Sequence, residues 1–359
     1  MPPMTDMANK LRGRASLSNQ SSRYLVEQRQ PFDDGWETER PDRLATRIIA
    51  DTSKKVISYN KSPDLGFDRT INPYQGCEHG CIYCYARPTH AYWGYSPGQD
   101  FETVLFAKHD ASSRLRRELA AKNYKPATIV VGANTDAYQP IERELNITRN
   151  LLKVLLAHKH PTSIVTKSAL IQRDADLWAA LCNQNIGHVT ISVTTLDRKL
   201  ARTMEPRAAT PGRRIETIKK LAAEGVLVCV NVAPIIPGLT DHEIEPILEA
   251  AKEAGAKEAA YTLIRLPLEI KDLFFEWMQE NRPERRDRVE SLIRQIRGGA
   301  LYRSEFGERM HGTGPLADLI RQRFNLARKR LGLSKPEREL RNDLFQPPKS
   351  ETRQLNLEL

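Results

Sequence analysis

Residues 72–87 read Asn72-Pro-Tyr-Gln-Gly-Cys-Glu-His-Gly-Cys-Ile-Tyr-Cys-Tyr-Ala-Arg87, and three of the chain's five cysteines, Cys77, Cys81 and Cys84, fall inside them. The other two, Cys182 and Cys229, stand alone. Thiolates this close, spaced C-x3-C-x2-C, normally share a metal or a cluster. Gly76, Gly80 and the preceding Asn72-Pro73 disfavour a helix, so the stretch is expected to be a loop wrapping three sulfurs around one corner of a bound group. A [4Fe–4S] cluster usually takes four thiolates. Three leave one iron open to a small molecule. The competing reading is a zinc site made by the cysteines with His79 or His90. Structural zinc sites usually pair their cysteines as two separated knuckles, and no second pair stands in this sequence.

Working outward, composition sets the bounds. The 359 residues suit one large domain with appendages. An apolar fraction of 40% supports a core, while 28% charged residues make the chain polar. No run of 18 apolar residues is present, so no membrane span is expected. The first 24 residues lack the apolar segment of a signal peptide. With an odd cysteine count, this makes disulfides unexpected and a cytoplasmic setting the expectation. A net charge of +10 favours polyanions such as nucleic acid as partners, with a solvated basic surface as the bland alternative.

Beyond the cysteines the chain alternates short apolar strands with amphipathic helices. Strands are expected at 127–132, 163–166, 189–193, 226–232 and 260–264. Helices are expected near 142–158, 174–183, 214–224 and 242–254, with Gly225 and Gly255 closing the last two. This alternation implies a parallel sheet covered on its outer face, and with the strand entering the cysteine loop it counts about six βα units. Residues 1–55 read as a disordered or wrapping arm, with Trp36 as an anchor in a turn, and 56–281 as the core. Residues 282–334 read as a basic helical extension, and 335–359 as a polar tail. Between 282 and 330, 13 Lys or Arg face 6 Asp or Glu, so two basic helix faces could follow a phosphate backbone. The aromatic passage Tyr85, His90, Tyr92, Trp93, Tyr95 and Phe101 reads as packing that shields the bound group, with base stacking as the alternative.

The C-x3-C-x2-C spacing with an aromatic before its last cysteine resembles the radical S-adenosylmethionine (SAM) superfamily. Within it, residues 72–87 look like the spore photoproduct lyase-related branch, often described as DNA repair photolyase-like. The resemblance spans about residues 57–330. It implies an α/β fold, a partial (β/α)6 TIM-type barrel with N- and C-terminal extensions. It also implies a [4Fe–4S] cluster on Cys77, Cys81 and Cys84, SAM as second cofactor, and a one-electron reductant such as a flavodoxin or ferredoxin as partner.

Strand ends facing the mouth of such a barrel carry its site, and the resemblance assigns them. Asn134, Thr135 and Asp136 stand where the amino-acid half of SAM would lie. Lys167 would meet the SAM carboxylate, and Ser192 would reach the ribose. Ala233 and Pro234 would contact the adenine, with Tyr83 nearby. Arg265 and Glu269 are either a barrel-closing ion pair or a substrate contact. The run Glu205-Pro206-Arg207-Ala208-Ala209-Thr210-Pro211 is a further candidate contact at the mouth, with a plain loop as the alternative. The expected function is reductive cleavage of SAM and hydrogen-atom abstraction from a damaged or modified nucleic acid. The alternatives are the same chemistry on a small molecule or protein, or a nucleic-acid-binding protein with a structural metal. The lyase that names the branch uses a further cysteine late in its chain to return hydrogen, and this sequence has none after Cys229. Repair of that particular lesion is therefore not carried over.

Overall fold

The computed structural model describes residues 13–25, 44–336 and 339–349. Trp36 and the end of the polar tail lie outside them. Six parallel strands form the main sheet: β1 (Arg69–Ile71), β2 (Ile129–Val131), β3 (Thr162–Thr166), β4 (Gly187–Val193), β5 (Val228–Ile235) and β6 (Glu258–Leu263). They lie side by side in chain order, and Ile57–Tyr59 adds an antiparallel edge beside β1. This is the partial barrel of six βα units that the alternation and the resemblance lead one to expect.

Helices cover the outer face: α1 (Ala111–Leu119), α2 (Ile147–Ala157), α3 (Ala175–Asn183), α4 (Pro211–Ala223) and α5 (Ile244–Glu253). Val189, Ile191 and Val193 of β4 and Val228, Val230 and Val232 of β5 pack in one core with Trp178, Leu181, Ile218, Leu221 and Ile247. The alternate positions of these strands, His188, Thr190, Ser192, Cys229 and Asn231, point to the barrel interior because side chains alternate across a strand. The interior is therefore polar where the exterior is dry.

Three local departures have simple causes. The helix expected over 142–158 is broken into Glu142–Leu145 and α2, because Asn146 takes a left-handed conformation (φ 53°) between them. A helix at Arg198–Met204 is too short to show a period, but Asp197 caps it by accepting from the Lys199 and Leu200 amides. A second small sheet joins Arg47–Ala50, Val104–Ala107 and Tyr74–Gln75. Its strands come from distant parts of the chain, so no local pattern announces it.

Three C-terminal helices follow: α6 (Ile270–Asn281), α7 (Pro283–Gln295) and α8 (Gly314–Arg330). Ile320 and Phe324 of α8 join the main core, and Val289 and Ile293 of α7 join a second one around Phe274 and Trp277. Among the described residues, no helix is long and apolar enough to cross a membrane.

Candidate functional site

The cysteines sit on linked turns between Tyr74–Gln75 and a short 3-10 helix at Arg87–Trp93. Gly76 and Gly80 adopt φ of 76° and 65°, a region other residues enter only with strain. A Cβ at Gly76 would stand 2.8 Å from the Val104 carbonyl, and one at Gly80 would stand 2.7 Å from the Glu102 carboxylate. Both glycines are thus needed for shape and for room.

Two buried arginines fix the loop. Arg87 donates to the carbonyls of Gly80 and Cys81, both at 2.9 Å, and pairs with Glu102 at 2.5 Å. Glu102 also accepts from the amides of Ala15 and Ser16, so part of the N-terminal arm is tied to the cysteine loop. On the other side the Tyr83 hydroxyl donates to Glu205, which Arg214 also meets. Thr194 donates to Glu205 at 2.6 Å, and Arg214 donates to Ala209 O at 2.8 Å. Arg207 pairs with Glu78 at 2.9 Å. The loop 205–209 is therefore a brace for the cysteine loop, made by groups that satisfy one another in a dry setting.

The three cysteines open onto a cavity of about 610 Å³ at the C-terminal ends of the strands. Tyr83, Asn134, Thr135, Asp136, Lys167, Ser192, Ala233 and Pro234 line it too, so the residues that the resemblance assigns to cluster and SAM share one cavity, whereas Glu205, Arg207 and Glu269 are not in its lining. Their surroundings differ. Thr135 donates to the Tyr74 carbonyl at 2.6 Å, and its side chain serves the loop. Asp136 accepts from the Thr166 hydroxyl at 2.7 Å and the Lys167 amide at 2.8 Å, with His79 Nδ1 at 3.3 Å. Burial alone would raise its carboxyl, but His79 and these hydrogen bonds overcome burial and hold it at about 2. Asp136 is thus a fixed anion bracing His79 and the β3 end. The Lys167 ammonium lies 5.6 Å from the Tyr83 ring centroid and faces Cys81 and Cys84. Burial pushes all three thiols up, and Lys167 opposes this at the last two.

Two cavity groups hold buried polar atoms without a hydrogen-bond partner, and the first of them was passed over in the sequence reading. Asn231 Oδ1 is buried with no hydrogen-bond partner. An amide among the valines of β5 was the available signal. Arg265 lies 5.0 Å from the Tyr85 ring centroid, and its Nε is likewise buried without a partner. Glu269 pairs instead with Arg23 at 2.7 Å, so the barrel-closing ion pair is not formed. Arg309, also in the cavity wall, is paired with Asp64. His90 stays away from the cavity, its ring packed on Phe101, Phe106 and Tyr95. Of the aromatic passage, His90, Tyr95, Phe101 and Trp93 make ring contacts with one another or with Phe106, whereas Tyr85 and Tyr92 are exposed.

A protein-family description, the radical SAM superfamily, matches residues 71–251. An uncharacterised protein of Mycobacterium tuberculosis is 35% identical over 259 residues, 70% of this chain and 76% of its own length. One from Methanocaldococcus jannaschii is 31% identical over 196 residues, 55% of this chain and 70% of its own. Among solved structures, spore photoproduct lyase complexed with dinucleoside spore photoproduct superposes with a TM-score of 0.57 at 15% identity, covering 80% of this chain and 81% of that one. A mutant of the same lyase with bound AdoMet and the dinucleoside gives 0.56. At that identity the likeness speaks for the fold.

Proposed function

This chain belongs to the radical SAM superfamily, and from that premise we propose that Cys77, Cys81 and Cys84 hold its cluster and that its substrate carries phosphate, as a damaged or modified nucleic acid does. It is an enzyme of radical chemistry that uses a [4Fe–4S] cluster and SAM. When bound, these supply the electron that cleaves SAM and the radical that takes hydrogen from substrate.

The donor set suits both groups. Three thiols in a protein-lined cavity offer soft ligands. A lone zinc ion would need donors within about 4 Å of one another. Among the described residues, the His/Cys/Asp/Glu triad within 4.8 Å is a different one, His188, Cys229 and Glu258. Lys167 offers its charge to the SAM carboxylate, and the orphaned Asn231 Oδ1 accepts from an amino or hydroxyl group. The Asn134 amide and Ser192 hydroxyl serve the methionine and ribose parts, while Ala233, Pro234 and the Tyr83 backbone face the adenine. Asp136 contributes by holding the β3 end in place, and the loop 205–209 by keeping Tyr83 still. A one-electron reductant of the flavodoxin or ferredoxin type would dock from the cytoplasm.

The observation that carries the substrate class is Arg265. It is a half-buried cation in the cavity wall that forms no ion pair among the described residues, its Nε has no hydrogen-bond partner, and Glu269 is taken by Arg23, so an arriving anion would be favoured there. The basic helices support the reading less than their composition suggests. Arg286, Arg294, Arg321, Arg323 and Arg330 all sit in ion pairs with nearby carboxylates.

Two measurements test the proposal. After anaerobic reconstitution, wild type should show iron–sulfur absorbance and form 5′-deoxyadenosine, and Cys81→Ala should do neither. If Cys81→Ala keeps both, the ligand assignment is wrong. For the substrate, reduced enzyme and SAM are incubated with irradiated DNA and the products identified. Arg265→Ala should raise KM at least tenfold, as losing one charge-assisted contact of about 1.5–3 kcal/mol implies. Turnover of an uncharged substrate in preference to DNA would sink the phosphate reading.

A further inference from the structure

The opposite end of the barrel holds a second constellation. His188 and Cys229 are the second residues of β4 and β5, and Glu258 is the first of β6, three neighbouring strands. Cys229 is the register partner of Glu258 on one side and of Thr190 on the other, with His188 one pleat below Thr190. By alternation all three share the inward face with Ser192 and Asn231. One donor atom from each lies within 4.8 Å of the others. His188 Nε2 and Glu258 Oε2 are 2.7 Å apart. Cys229 is 1% exposed, while the His188 and Glu258 side chains keep 16% and 6% of their surface open, which leaves a way in from the barrel floor.

We propose that His188, Cys229 and Glu258 form a divalent transition-metal site, best suited to Zn²⁺, on the barrel floor beneath the cofactor cavity. Imidazole, thiolate and carboxylate are the three ligand types zinc takes, and three protein ligands leave a fourth position for water. A tetrahedral ion would set the His and Glu donor atoms about 3.3 Å apart, so binding parts the present pair by roughly half an ångström. That is within side-chain adjustment. The ion would tie together three strands of a barrel that does not close on itself, stabilising the folded chain by binding it alone. It lies about two strand residues, roughly 7 Å of rise, below the Asn231 level and does not depend on how the cluster is held.

The test uses the full chain with Cys77, Cys81 and Cys84 all changed to Ala, so that the cluster loop offers no thiol. Titration with Co²⁺ should give one equivalent with a near-ultraviolet thiolate-to-cobalt charge-transfer band. Zn²⁺ should displace it and raise the thermal midpoint. Adding Cys229→Ser should abolish the band, and Glu258→Gln should weaken binding at least tenfold while far-ultraviolet circular dichroism stays unchanged. Two results would overturn the site. One is no band in the parent variant. The other is a band that survives Cys229→Ser and disappears with Cys182→Ser.

Discussion

His90 shows how one buried side chain sets a pH response. Burial pushes its imidazole down to about 4, and neither ring nitrogen has a hydrogen-bond partner. The folded chain therefore binds fewer protons than the unfolded one between about pH 6.5 and 4. Stability is present above that window and falls as pH drops through it, by roughly 2–3 kcal/mol from this residue. His90→Phe keeps a ring against Phe101 and Phe106 and removes the titration. Urea midpoints at pH 7.5 and 5 should lie closer together in the variant than in wild type. The gap should not vanish, because His160 is also buried and held down at about 4. The same scale separates roles within the cavity. Asp136 and Thr135 spend their side chains on the protein, whereas Asn231 Oδ1 and Arg265 Nε have no hydrogen-bond partner.

At the scale of elements, the cysteine loop is held largely by what surrounds it, since its own backbone bonds are single turns, Gly80 N–H to Cys77 O and Cys84 N–H to Cys81 O. The Arg87–Glu102 pair gathers its carbonyls, the 15–16 amides cover that pair, and the Glu205 network fixes Tyr83. Gly76 is where this scaffold is least forgiving, because the clash there is with backbone. Gly76→Ala should cost about 1–3 kcal/mol through strain at positive φ. Because the strain falls on the residue before Cys77, the variant should bind less iron per chain after reconstitution than its loss of thermal stability alone explains. Normal iron content would show that the loop tolerates the shift. The glycines and the cysteine spacing were legible in the sequence. The braces were not, because Arg87, Glu102, Glu205 and Arg214 look like ordinary charged residues until the fold buries them together.

For the whole molecule, an unclosed barrel leaves an edge strand, and unpaired edges invite association. Here β6 is covered by the chain after α8, where Ala259 N–H donates to Ser334 O and Ser334 N–H donates to Lys257 O, both at 3.0 Å. A chain ending at Arg330 should lose this cover, with a lower thermal midpoint and concentration-dependent aggregation visible by light scattering. An unchanged midpoint would mean that α8 protects the edge alone. The amino-acid sequence by itself determined the cysteine spacing and the strand–helix alternation, because these rest on local chemistry and short-range periodicity, while the roles of the strand-end residues came from the resemblance to a family. Only the tertiary structure decided which of those residues are committed to the protein, that the C-terminal arginines are mostly paired, and that His188, Cys229 and Glu258 converge. Those outcomes depend on burial and on contacts between distant segments, which no local pattern in the chain encodes.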